Sequence, residues 1–233
     1  MRVPRYLLTY DPARLKIIEA DLLVIGSGIA GLYTALKAGE RRVIVITKEK
    51  TEDSSTEYAQ GGIAAVLSDE DSPRLHIDDT LKAGADLCIT EAVEALVEEG
   101  ADRVRELIAM GTEFDRVEDN LTLAREGAHS CSRILHAHGD ATGEEIRRAL
   151  VRNVLHLDWV EIYEDTYALD IIRDEEGRCI GVVAFDRPQK AFTFFAAPAT
   201  VIATGGAGHV YAHTSNPDVV TGDVVLGYIG EVD

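Results

Sequence analysis

Three clusters of residues have the types and spacing to do chemistry. The first, Gly26-Ser27-Gly28-Ile29-Ala30-Gly31, matches GxGxxG. In that spacing the first glycine makes a tight turn, the second lets backbone amides approach a pyrophosphate, and the third lets a helix pack on a strand. An apolar run precedes it and a helical pattern follows, a setting that favours dinucleotide binding over a merely structural glycine turn. The acidic residue that usually ends the next strand and binds a ribose is missing. Thr47-Lys48 stand there, with Glu49 slightly late, which counts against a simple NAD dehydrogenase. The second cluster, Ser54-Ser55-Thr56-Glu57-Tyr58-Ala59-Gln60-Gly61-Gly62, combines hydroxyls, an amide and paired glycines. Such a loop can donate backbone hydrogen bonds to a flat polar ring or a phosphate, or be an ordinary polar turn. In the third, Arg125, His129, Arg133, His136 and His138 form a cationic island with Glu126 embedded in it. That mixture suits a dicarboxylate carrying an ammonium group; the plainer alternative pairs Glu126 with Arg125 or Arg133. No carboxylate or cysteine completes a ligand set around His136 and His138, so no metal is expected. His209 and His213 read as loop residues.

The island stands out because the chain is otherwise acidic. Its 233 residues carry 23 Lys+Arg against 41 Asp+Glu, a net charge of -18. Such a surface repels phosphate backbones and anionic lipid headgroups, so neither nucleic acid nor membrane is an expected partner, and an anionic ligand needs a local cationic pocket. With 46% hydrophobic residues and this length, the chain can bury a core without staples. Cys88, Cys131 and Cys179 are odd in number and far apart, which fits a reducing cytoplasm. The apolar stretch Tyr6 to Tyr10 is too short for a signal-peptide core. The uncharged stretch from Ala191 to Pro217 is interrupted by Pro198, Gly205, Gly206 and Gly208, and reads as buried strand plus glycine loop.

The elements that must position these clusters follow from periodicity. Leu22 to Ile25 and Val43 to Ile46 are continuous apolar runs suited to parallel strands covered on both faces, with a helix between them through about Ala38 and closed by Gly39. This is a βαβ unit. A short helix is predicted over Leu75 to Ala85. A longer one starts at Thr90 as N-cap, carries Val93, Leu96, Val97, Val104, Leu107 and Ile108 at helical spacing, and stops at Gly111. Thr142 with Glu145 forms a capping-box pattern opening a helix through about Asn153. Val160 to Tyr163, Tyr167 to Ile172 and Ile180 to Phe185 read as an antiparallel meander, turned at Asp174 to Gly177. Thr200 to Ala203 then leads into Thr204-Gly205-Gly206. Nothing in composition marks an internal domain boundary.

DLLVIGSGIAGL at Asp21 to Leu32, followed by STEYAQGGIAA from Ser55, resembles the flavoprotein superfamily of succinate dehydrogenase, fumarate reductase and L-aspartate oxidase. Arg125 to Ser130 and Arg133 to Gly143 resemble the REGGHS and RILH...DATG signature of the L-aspartate oxidase family, with Ala128 where that family usually has glycine. Thr214 to Asp223 is similar to its TNPxxxTGDG element, with Val224 replacing the next glycine. The resemblance implies an α/β fold, a Rossmann-like FAD-binding domain of parallel sheet, helices and antiparallel meander, spanning residues 1–233. It also implies that the family's capping domain and C-terminal helical domain have no counterpart in these residues. FAD is implied at Ser27, Gly28, Ile29, Ala30, Lys48, the Ser55 to Gly62 loop and Asp223. It is implied to be held noncovalently, because Ser55 occupies the position of the histidine that carries covalent flavin in the membrane-complex members. Glu126 is implied to contact the substrate ammonium group. The activity implied is oxidation of L-aspartate to iminoaspartate by hydride transfer to flavin, with oxygen or fumarate as acceptor and a functional link to quinolinate synthase in NAD biosynthesis. Two alternatives remain: a soluble fumarate reductase or succinate oxidase, and a noncatalytic flavin-binding module.

Overall fold

The computed structural model describes residues 6, 11, 14–51, 53–218, 220 and 221. Asp223 and Val224, implicated above, lie outside the described residues. In chain order the elements are β1 (Lys16–Glu19), β2 (Leu22–Ile25), α1 (Ile29–Lys37), β3 (Val43–Ile46), β4 (Ile63–Ala64), α2 (Pro73–Ala83), α3 (Thr90–Ala109), β5 (Arg116–Val117), β6 (Asn120–Leu121), β7 (Leu123–Ala124) and β8 (Ile134–Leu135). There follow α4 (Thr142–Val154), β9 (Val160–Tyr163), β10 (Thr166–Arg173), β11 (Cys179–Asp186), β12 (Ala191–Ala196), β13 (Thr200–Ile202) and a 3-10 turn at Gly208–Val210.

The chain divides into two compact units, Met1–Thr56 with Leu150–Asp233, and Glu57–Ala149. The first crossing falls in a polar loop and the second inside α4, so neither carries the linker composition that would have announced it. In the first unit a parallel sheet runs in the order β13-β2-β3-β9. A second sheet, β1-β12-β11-β10, is antiparallel apart from the parallel β1-β12 pair. The continuous apolar runs of β2 and β3 are buried on both faces, as a parallel strand requires. Leu23, Ile25, Ile44 and Ile46 join Val182, Ala184 and Phe195 in one core between the sheets. Val24, on the alternate face, underlies α1 at Gly31. Val160–Tyr163, expected in the meander, instead extends the parallel sheet beside β3. The third meander strand is β12, which lies in the stretch read only as buried strand plus loop.

In the second unit α2 packs on α3 through Ile77, Val93 and Val97. Helix α2 starts earlier than expected, because Ser72 is its N-cap, accepting from the Leu75 N–H at 3.3 Å, and Pro73 takes the first helical position. Thr90 is not a cap: α3 begins there with Ile89 at the N-cap and no side-chain hydrogen bond. The Thr142/Glu145 capping box is not used as expected either. Thr142 Oγ1 accepts from the Ala137 N–H at 3.1 Å, while Glu145 accepts from the Glu113 N–H and the Arg148 guanidinium. Among the described residues no helix is long and apolar enough to cross a membrane.

Candidate functional site

At the end of β2 the chain turns through Gly26, whose φ of +109° is open to glycine. A Cβ there would lie 2.3 Å from the Ala203 carbonyl oxygen, and one at Gly31 would lie 1.9 Å from the Gly26 carbonyl oxygen. Both glycines are therefore demanded by the protein's own packing. Gly28 differs, since a Cβ would meet only Thr56 Oγ1, at an ordinary 3.6 Å. That space opens on a cleft of about 680 Å³, within the size range of cofactor sites. Gly28 is the N-cap of α1 and supplies no side-chain acceptor; Thr56 Oγ1 accepts from the Ile29 N–H at 3.1 Å. The next first-turn amides have no intrahelical acceptor and stand at the positive end of the helix, the arrangement that holds a phosphate.

The cleft walls come from Ser54 to Thr56, from Thr166 to Leu169 of β10, and from Ile202 to Gly206. Ser54 Oγ and Thr204 Oγ1 are buried there with no hydrogen-bond partner, two orphan hydroxyls that a polar ligand would satisfy. Lys48 also lines the cleft, its Nζ donating to Thr221 Oγ1 at 2.6 Å. Burial pushes its pKa down, against the opposing charge of Glu49. Where a ribose-binding acid is usual, Ser27 Oγ donates to Thr47 Oγ1 at 3.0 Å in a buried hydroxyl pair. The late acid, Glu49, is committed to Arg187, which donates to it at 2.9 Å and also pairs with Asp165. Lys50 pairs with Asp165 at 2.7 Å, so this network ties the start of β10 to the end of β3.

Of the residues expected at a cofactor, the cleft brings together Gly26, Ser27, Gly28, Ile29, Ala30, Lys48, Ser55 and Thr56. Gly31 sits beneath it as packing. Glu57 to Gly62 fall in the second unit, where Glu57 pairs with Arg147 and the Ala59 carbonyl accepts from the Gly143 N–H at 2.9 Å. Gly62 leaves no room for a side chain, since a Cβ would lie 2.3 Å from Ile134 Cγ2. The wall from Thr166 to Leu169 was not anticipated. Its only sequence signal is the start of a strand, which does not say what that strand faces.

The cationic island is reorganised by partners distant in sequence. Arg133 is fully buried and forks onto Asp71, with Nε to Oδ2 at 2.8 Å and Nη2 to Oδ1 at 2.7 Å; its Nη1 donates to Asp79 Oδ2 at 2.7 Å. Those hydrogen bonds, with Asp71 foremost, raise the guanidinium's pKa further. Asp79 also accepts from the backbone N–H and the hydroxyl of Ser130, at 2.8 and 2.7 Å. These bonds and Arg133 hold its carboxyl well below the usual carboxylate range. The expected role of Arg133 as a cation facing a substrate is thus corrected: two aspartates neutralise it inside the unit. Nor does Glu126 pair with either arginine. Its side chain is 51% exposed, with Oε1 at 3.2 Å from His136 Nε2, while Arg125 Nε donates to the His129 carbonyl at 2.9 Å. Glu126 to His129 form a turn closed by the His129 N–H to the Glu126 carbonyl, and Ala128 has φ +69°. The family's usual glycine there matches the left-handed third position of such a turn. Among the described residues no group of three or more His, Cys, Asp or Glu could hold a metal ion.

A strand, a glycine turn and a helix whose N-terminus opens on a hydroxyl-lined cleft define an α/β dinucleotide-binding protein. More narrowly, residues 21–226 match the family model described as FAD binding domain, and the chain belongs to that family. The open space at Gly28, the first-turn amides and the orphan hydroxyls fit FAD. The chain is 48% identical over 222 residues to the L-aspartate oxidase of Streptomyces coelicolor, covering 93% of this chain and 38% of that protein. It is 47% identical over 208 residues to the chloroplastic L-aspartate oxidase of Arabidopsis thaliana, covering 87% of this chain and 32% of that one. The chain therefore spans about a third of the length of these curated relatives. Among solved structures, a quinol fumarate reductase FrdA of E. coli carrying an E245Q mutation superimposes with TM-score 0.83 at 31% identity, over 88% of this chain and 36% of that one.

Proposed function

We propose that this chain is the FAD-holding portion of an L-aspartate oxidase, which oxidises L-aspartate to iminoaspartate with oxygen or fumarate as the final acceptor. FAD supplies the two-electron redox chemistry when bound. The α1 N-terminus, with Gly26 to Gly31 shaping the turn, receives the pyrophosphate. Lys48 and the hydroxyls of Ser54 to Thr56 take polar parts of the cofactor, and the Glu57 to Gly62 loop and Asp223 complete the set. Ser55 offers no ring nitrogen for a covalent link, so the flavin is held noncovalently.

The observation that carries the substrate assignment is the half-exposed carboxylate of Glu126, which pairs with neither Arg125 nor the buried Arg133, the latter neutralised by two aspartates. Aspartate differs from succinate by one ammonium group, and an accessible anion is the simplest recogniser of it. The fumarate reductase neighbour supports a second reading, a soluble fumarate reductase or succinate oxidase, in which Glu126 would have no such task. Under the first reading the iminoaspartate passes to quinolinate synthase for NAD biosynthesis. Three free cysteines accord with a reducing compartment, and we assign the cytoplasm.

Glu126→Gln in the protein as its gene encodes it separates the two readings. The oxidase reading expects kcat/KM for L-aspartate to fall by about tenfold or more, with fumarate reduction changed far less. Equal loss of both activities, or a wild-type protein oxidising succinate but not L-aspartate, would support the second reading instead.

A further inference from the structure

His129 closes the turn that begins at Glu126, and its ring is fixed from one side. Arg133 Nη1 lies 3.1 Å from His129 Nδ1. A guanidinium can only donate, so Nδ1 must be the accepting nitrogen and the ring proton must sit on Nε2. Arg133 cannot swing away to relax this: Asp71 holds two of its nitrogens and Asp79 the third, with all of Arg133 and the Asp71 side chain excluded from solvent. The backbone is held as well. Asp79 fixes Ser130 through two hydrogen bonds, and Arg125 holds the His129 carbonyl. The other titratable ring nearby, His76, lies 5.8 Å from the His129 ring between centroids and is buried. Burial, then the charge of Arg133, disfavours its protonated form. Among the described residues no hydrogen bond or ion pair engages the outer nitrogen of His129.

We propose that Arg133 is a positioning residue that sets His129 as a neutral Nε2–H donor, and that His129 and Glu126 together receive the charged groups of an α-amino acid. Glu126 accepts from the ammonium group and His129 donates to a carboxylate. A succinate-type ligand would use only the donor. This rests on the L-aspartate oxidase reading for its substrate class and on the geometry alone for the ring.

The test uses the flavin-loaded full-length protein and two readouts. In protein carrying ¹⁵N-labelled histidine at alkaline pH, His129 is expected to show Nε2 protonated and Nδ1 bare. In kinetics, Arg133→Lys keeps the charge but loses the fork, and His129→Ala removes the donor. Each is expected to raise KM for L-aspartate by about tenfold with kcat and flavin content little changed. His129→Gln, which restores an N–H near the Nε2 position, should recover most of that loss. A protonated Nδ1, or a Gln variant no better than Ala, overturns the proposal. Where Arg133→Lys does not fold, the His129 pair and the nitrogen spectrum still decide. A wild-type protein inactive with L-aspartate overturns the amino-acid pairing and the functional reading together, and the nitrogen spectrum then judges the Arg133 assignment separately.

Discussion

In the cleft of the first unit the groups offered to a ligand are backbone amides and small hydroxyls, with one long charged side chain, Lys48, among them. In Arg125 to His138 of the second unit they are long charged side chains, most of which meet one another. The cleft spends its glycines differently at each position: Gly26 and Gly31 are forced by backbone within 2.3 Å and 1.9 Å of where a Cβ would stand, and Gly28 keeps space open. The charged segment instead buries its central cation under two aspartates and leaves one carboxylate, Glu126, half exposed. Density of charge in the sequence therefore does not locate the charge a ligand would meet. What remains accessible after internal pairing does.

The largest effect should come from the buried cluster. Arg133→Ala leaves the solvent-excluded Asp71 carboxylate with only the Ser72 N–H for a partner and no countercharge, and should cost about 3–5 kcal/mol of stability, read by thermal or denaturant unfolding. The same cluster sets an acid limit. Burial alone would raise the Asp71 carboxyl, but hydrogen bonds from Arg133 and the Ser72 N–H, with the charge of Arg133, depress it below its ordinary 3.8, and Asp79 is depressed too. Groups with depressed folded pKa values contribute fully above their unfolded values, so stability should be flat above about pH 5 and decline below about pH 4. Arg133→Ala should flatten that decline.

In the cleft, Gly31→Ala and Gly28→Ala separate packing from ligand space. The first should destabilise by about 1–3 kcal/mol and lose FAD with the fold. The second should leave the melting temperature of the flavin-free protein unchanged while weakening FAD binding, measured by flavin fluorescence titration. Equal stability losses in both would erase the distinction drawn between the two glycines. The smallest effect is at Ala128, whose left-handed φ is strained for any residue with a Cβ. Ala128→Gly should stabilise by about 0.5–1 kcal/mol after the added unfolded-chain entropy is subtracted, and denaturant midpoints would register it.

The cleft was legible in the sequence because a strand-glycine-helix spacing imposes its backbone geometry locally. Leu22 to Ile25, the turn and α1 all formed where expected, as did the Asp174 to Gly177 turn between β10 and β11. What stayed hidden depends on distant pairing. Arg133 finds Asp71 and Asp79 at separations of 62 and 54 residues, and no local pattern distinguishes those two among 41 acids. Val160 to Tyr163 alternates like a meander strand, yet its place beside β3 is fixed by tertiary packing. Thr142 and Glu145 carry a capping-box pattern, but Ala137 and Glu113 offer them better-placed N–H groups.

The central claim, a cleft holding FAD through an open helix N-terminus and without a covalent link, is tested most directly by the visible spectrum of the purified protein before and after acid precipitation. A flavin spectrum near one equivalent, with the yellow chromophore released to the supernatant as FAD, is the result predicted. Flavin retained in the precipitate would contradict noncovalent binding, and folded protein that takes up no FAD when it is supplied would contradict the site itself.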